Sequence, residues 1–180
     1  GWLFLASTSH VYAPGSAASS APLPESAPLG PGTFYGVSKL AGERLAQPIL
    51  DRFDVAYAVG RIFSFSHANQ SPPYLVPSLA ASISALPDGG ELELRSASAV
   101  RDIVDAETVI DAVLHLARLR VRGVLNIGSG QGRTVADIAQ RVAEKLGRRI
   151  RLKPVGGDAG NSLVADVSTL RRVIARGLGQ

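Results

Sequence analysis

The sequence predicts an α/β fold built on a mainly parallel sheet. Two observations carry this reading. Apolar runs of strand length alternate along the chain with amphipathic stretches of helix length, the order that gives parallel strands joined by helical crossovers. The runs WLFLA (residues 2–6) and VAYAVGRIF (residues 55–63) are apolar without alternation, as strands covered on both faces are. With 180 residues and no cysteine, the chain can bury a core and must do so without disulfides or thiolate-bound metal.

The elements follow in order. WLFLA opens as a buried strand; it is too short for a membrane span and lacks the basic leader of a signal peptide. Residues 7–32 form a long Pro/Ser/Ala/Gly segment, and loops of that length are functional or disordered. A helix then opens at about Thr33, carrying Val37, Leu40, Ala41 and Leu45, and VAYAVGRIF follows as a strand. After the turn-rich SHANQSPP, YLVPSLAASISAL has helical periodicity, with Pro77 tolerated in the first turn. PDGG breaks the chain before ELELR, which alternates as a strand. DAETVIDAVLHLARL reads as a helix and GVLNIGS as a strand. TVADIAQRVAEKLG is a helix with a capping-box start at Thr134 and Asp137 and a stop at Gly147. IRLKPV is a last strand and STLRRVIARGLG a last helix, starting near Ser168.

The formal net charge is +4, but the basic excess is scattered over the later elements with no aromatic residues between, so a nucleic-acid footprint is disfavoured. No run of about 18 apolar residues exists to cross a membrane. Together with the lack of cysteine, this sets a cytoplasmic location as the expectation. The chain has no methionine and starts at Gly1 directly before a strand-like run, which leads us to expect part of a longer protein.

Chemistry enters with FYGVSKLAGERL, residues 34–45. Tyr35 and Lys39 stand four apart, one above the other on a helix face. An ammonium beside a phenol favours the phenolate and can make it a usable base. The spacing alone is weak evidence, and a surface tyrosine packed on a lysine stem gives the same pattern. Its company is more specific. STSHVY (residues 7–12), YGVSK (35–39), GRIF (60–63), VRDIVDAETVIDAV (100–113) and LNIGSG (125–130) occur in order. Together they resemble the C-terminal two-thirds of an extended short-chain dehydrogenase/reductase, in the NAD-dependent epimerase/dehydratase group acting on nucleotide sugars.

The resemblance implies the C-terminal part of a Rossmann-like, doubly wound parallel sheet plus a smaller α/β substrate-binding subdomain. Residues 1–63 would be the remainder of the dinucleotide-binding domain, and 64–180 mainly the nucleotide-sugar subdomain, with some segments returning to the sheet. It further implies Thr8, Tyr35 and Lys39 as catalytic residues, with NAD or NADP held by Tyr35, Lys39 and Phe63. Ser9, His10, Ser64, Arg101 and Asp158 would serve the nucleotide-sugar substrate, Arg101 beside Asp102 at the diphosphate, and the full-length enzyme would be a homodimer packed through the helix of Tyr35. Plainer readings stand beside these: Thr8 as a strand end, His10 as a loop histidine ahead of any catalytic role, Arg101 and Asp102 as a surface ion pair, and NIGSG as a mere turn.

The sequence also departs from the pattern. The glycine-rich turn that receives the dinucleotide pyrophosphate is missing, and we expect it upstream or lost. Dehydratases of the group follow the catalytic Thr with Asp-Glu and decarboxylases with Ser-Glu, where this chain has Ser9 and His10, so dehydration is disfavoured. Ser64 stands where many epimerases have Asn, and Ile103 where an aromatic is usual. Epimerisation or 4-keto reduction remains. The alternative is a non-catalytic binding or regulatory protein that kept the fold and lost the cofactor half.

Overall fold

The computed structural model describes residues 1–17, 21–156 and 161–177. In chain order the elements are β1 (Trp2–Thr8), α1 (Phe34–Arg52), β2 (Ala56–Ile62), β3 (Ser64–Ser66), α2 (Leu75–Ala85), β4 (Gly90–Arg95) and β5 (Val100–Asp105), then α3 (Ala106–Arg118), β6 (Gly123–Ile127), β7 (Gly132–Thr134), α4 (Val135–Lys145), β8 (Ile150–Val155), β9 (Ser162–Leu163) and α5 (Ser168–Gly177).

Strands β1, β2 and β6 make a parallel sheet in the order β1-β2-β6. One face is packed by α3 and α5, whose Val109, Ala112, Leu116 and Leu170 are buried against Ala58, Leu125 and Ile127. Helix α1 lies on the opposite face, where alternation along β2 turns Arg61 toward Glu43. Gly60 is small because a Cβ there would run into the Phe4 ring of the neighbouring strand.

The rest of the sheet structure differs from a single parallel array. Strand β5 pairs with β3 and β9 in parallel and with β7 antiparallel, while β4 and β8 form a separate parallel pair. Leu92 and Leu94 of β4, Leu79 and Ile83 of α2, and Ile138 and Val142 of α4 close a second core. Strand β1 is also less covered than its composition predicts. It has β2 on one side only among the described residues, and Leu3 remains 39% exposed.

The helix boundaries have the expected causes. The Thr33 hydroxyl accepts from the Gly36 N–H at 3.1 Å and the Thr134 hydroxyl from the Asp137 N–H at 3.0 Å. Gly147, at φ 64°, ends α4 in the left-handed conformation. The segment expected as a long loop is instead built in. Ser9–Val11 and Pro14–Ala17 are short 3-10 turns, Tyr12 bridges to Leu29 and Leu23 to Ala165, and Val11, Leu23 and Ala27 join Phe63, Ala165 and Val167 in a third core. Among the described residues no helix is long and apolar enough to cross a membrane, and no group of three or more His, Asp or Glu could hold a metal ion.

Candidate active site

Thr8 is the last residue of β1, and parallel sheets present their ligand sites at that end of the strands. Its hydroxyl accepts from the His10 N–H at 3.3 Å, capping the turn Ser9–Val11. Thr8 therefore does end its strand, as the plain reading has it. Yet among the described residues nothing accepts its hydroxyl proton, and it faces a cleft of about 270 Å³.

Tyr35 and Lys39 reach the same cleft from the first turns of α1. The Lys39 ammonium lies 5.7 Å from the centre of the Tyr35 ring and donates to the Ala6 carbonyl at 3.2 Å. Gly36, between them, lets α1 come this close: a Cβ there would collide with the His10 carbonyl and lie 2.8 Å from Pro31. His10 stands edge-on to Tyr35, ring centres 6.0 Å apart. Ser64, Phe65, Gln70 and Tyr74 flank the opening, and Ile62, Phe63 and Ile103 form an apolar wall. Phe63 is 3% exposed, its ring packed on Tyr12.

A second cleft of about 330 Å³ adjoins the first; Ser9, His10 and Ser64 line both. Arg101 lines the second, its guanidinium donating to the carbonyls of Val100 at 2.9 Å and Asn161 at 3.1 Å. Burial lowers its pKa, and no carboxylate pairs with it among the described residues. The reading of Arg101 and Asp102 as a surface ion pair does not hold, because neighbours on a strand point to opposite faces. Asp102 is fully buried and accepts from the N–H groups of Ser129, Gly130 and Ala165. It thereby fixes the turn after β6, and a Cβ on Gly128 would lie 2.7 Å from its carboxylate. Asp158 lies outside the described residues.

Sequence reasoning missed the buried polar network beneath these clefts. Arg61 donates to both carboxylate oxygens of Glu43, at 3.2 and 2.9 Å, to the Tyr12 hydroxyl at 3.3 Å and to the Glu25 carbonyl at 3.0 Å. The Ser7 hydroxyl donates to Glu43, and the Tyr12 hydroxyl to the Asn126 side chain at 2.6 Å. Burial is the main cause that raises the Tyr12 pKa. Burial by itself would lower that of Arg61, but its bonds to Glu43 and Tyr12 outweigh it and the net shift is upward. The signal was present: a lone arginine in the apolar run VAYAVGRIF requires a buried partner, and Glu43 follows Lys39 by one turn on the same face of α1. The network clamps α1, which carries Tyr35 and Lys39, to the strand that ends in Thr8.

Three comparisons bear on what this site belongs to. Over 156 residues the chain is 28% identical to the dTDP-6-deoxy-L-talose 4-dehydrogenase (NAD(P)(+)) of Kitasatospora kifunensis, covering 84% of this chain and 49% of that protein. The structure of MoeE5 in complex with UDP-glucuronic acid and NAD superposes with a TM-score of 0.79 at 27% identity, over 97% of this chain and 58% of that one. TunA, an NAD-dependent NDP-hexosamine 5,6-dehydratase of tunicamycin biosynthesis, gives 0.79 at 26%, over 96% and 56%. The chain thus spans about half the length of these relatives. Residues 2–128 match the model of the NAD dependent epimerase/dehydratase family, and the chain belongs to that family.

Proposed function

We propose that the chain is the catalytic and substrate-binding part of an NAD(P)-dependent epimerase or 4-ketoreductase acting on a nucleotide sugar. The observation that carries this is the convergence of Thr8, Tyr35 and Lys39 on one cleft from two separate elements. Tyr35 takes or gives the proton of the sugar hydroxyl as its carbon is oxidised or reduced. Lys39 stands beside the ring, its ammonium 5.7 Å from the ring centre, and the Thr8 hydroxyl holds the sugar oxygen in line with Tyr35.

Bound NAD or NADP would supply the hydride acceptor or donor. The residues here fit its nicotinamide end: the Lys39 ammonium for a ribose oxygen, and the apolar wall with Phe63 for the ring. The sequence contains no glycine-rich strand-turn-helix for the pyrophosphate, so that end would rest on residues outside this chain. The second cleft suits the nucleotide diphosphate, with Arg101 offering a guanidinium that has no carboxylate partner among the described residues and Ser9, His10 and Ser64 at the junction; Asp158 would join on the substrate side. On this reading residues 1–63 belong with the dinucleotide-binding half and 64–180 mainly with the substrate half, α3, β6 and α5 returning to the first sheet. The enzyme would be cytoplasmic. It would also be a homodimer, because Val37, Leu45 and Ile49 leave an apolar stripe on the outer face of α1 that Phe53 extends just past its end, each at least 50% exposed.

The test is label transfer in the longest natural form of the protein. A nucleotide sugar deuterated at C4 should pass its label to NAD or NADP. If neither cofactor collects label from any nucleotide hexose offered, the assignment fails.

A further inference from the structure

The loop between β3 and α2 brings Gln70 to the first cleft, and neither the proton nor the hydride step uses it. Two hydrogen bonds fold this loop back on itself. The His67 N–H donates to the Gln70 side-chain oxygen at 3.2 Å, and the Gln70 N–H donates to the His67 carbonyl at 3.0 Å. His67 is fixed in turn. Its Nδ1 accepts from the Asn69 N–H at 3.1 Å, which leaves Nε2 as the protonated nitrogen, 3.5 Å from the Glu107 carboxylate at the start of α3. A backbone N–H can only donate, so the Gln70 amide atom that meets it is the oxygen, and the orientation of the amide is settled. The NH₂ is then the polar group that Gln70 has left to offer. It has no hydrogen-bond partner among the described residues, and neither cleft is lined by an Asp or Glu that could accept from it. Gln70 is half-buried and borders the cleft from the β3–α2 side, whereas Thr8, Tyr35 and Lys39 come from β1 and α1. A donor oriented by its own loop and turned to no protein acceptor is what a site built to read one substrate oxygen requires.

We propose that Gln70 is a specificity-determining residue of the sugar site. Its NH₂ donates to a hydroxyl oxygen on a sugar carbon other than the one that reacts, and so selects hexoses that carry oxygen there over their deoxy counterparts. This rests on the proposed nucleotide-sugar site. A sugar without that hydroxyl leaves the NH₂ unpaired in the closed complex, and the cost of the unpaired donor is what discriminates. His67 acts as a positioning residue, because its N–H holds the amide oxygen away from the sugar.

The experiment measures binding to this 180-residue chain by NMR titration, which needs no cofactor. UDP-glucose and dTDP-glucose are compared first, and the tighter binder is then tested beside its 2-, 3- and 6-deoxy forms. One deoxy form should bind the wild type at least about tenfold more weakly than the parent sugar, the scale of one unpaired donor. Gln70→Leu should bind the parent and that form equally. A loop that merely loosened would weaken every member of the series alike and leave their ratios unchanged. Wild-type ratios or a uniform loss of binding in Gln70→Leu therefore overturn the proposal while leaving the site reading intact, and so does a wild type that binds all four forms equally. If neither UDP-glucose nor dTDP-glucose binds, the nucleotide-sugar site itself is contradicted and the proposal falls with it.

Discussion

Glu43→Gln isolates what the buried network contributes. The Glu43 and Arg61 side chains are 3% and 6% exposed, so solvent screens the pair little. The amide keeps one oxygen, which in the Oε1 place can still accept from the Ser7 hydroxyl and the Arg61 Nε–H, but it turns an NH₂ donor toward the guanidinium nitrogen that donates to Oε2. Breaking one partner of a buried ion pair costs about 3–5 kcal/mol. Arg61 retains the Glu25 carbonyl and the Tyr12 hydroxyl, which sets the expectation at the lower end, about 3 kcal/mol. For a chain of this size that is a Tm lower by about 6–12 °C. Urea unfolding followed by far-UV circular dichroism measures it. Replacing both partners by apolar residues, Glu43→Leu with Arg61→Met, should cost less than Glu43→Gln, because no charge is left buried. A Glu43→Gln chain within about 1 kcal/mol of wild type would show that the network does not hold α1 against the sheet.

Three further outcomes follow from the same structure. Burial keeps the Tyr12 phenol protonated above its ordinary range, so its share of stability is complete below about pH 10, the unfolded value, and is lost as the pH rises toward the folded one. Tyr12→Phe should lower neutral-pH stability by about 1–3 kcal/mol and make the alkaline decline shallower; an unchanged slope in urea titrations between about pH 9 and 11 would contradict this. Leu45→Glu puts a charge in the exposed stripe of α1 and should convert the dimer expected of the longest natural form to monomer by light scattering, and wild-type protein already monomeric at micromolar concentration would remove the dimer. The 180-residue chain, with only the nicotinamide end accommodated, should bind NAD and NADP with a dissociation constant of about 1 mM or weaker, and a micromolar value by calorimetry would mean that the cofactor site has been misread.

Much of the architecture was legible because its causes are local. Thr33 and Thr134 are N-caps whose hydroxyls meet N–H groups three residues on, and Gly147 takes a conformation that suits glycine. The apolar runs that became β1, β2 and β6 needed no more than their length and composition. What was missed depends on distant partners. VRDIVD was noted as a motif yet not as a strand, because β5 is defined by pairing with the three short segments β3, β7 and β9, none long enough to show a period. Residues 7–32 look like a loop by composition, and only contacts such as Leu23 with Ala165 show that they are packed. Within the site, the Tyr35–Lys39 pair follows from helical spacing. The fully buried Asp102 does not, because nothing local distinguishes a carboxylate that anchors three backbone N–H groups from one that pairs with the arginine before it.

The central claim is that Tyr35 moves the proton that accompanies hydride transfer. Tyr35→Phe removes the titratable oxygen at a residue 54% exposed and keeps the ring, so folding should be unaffected. In the longest natural form of the protein, turnover of the nucleotide sugar that passes C4 label to the cofactor should fall by about 10²- to 10⁴-fold, the loss expected for a general acid–base group. A Phe variant that turns over at the wild-type rate would contradict the account.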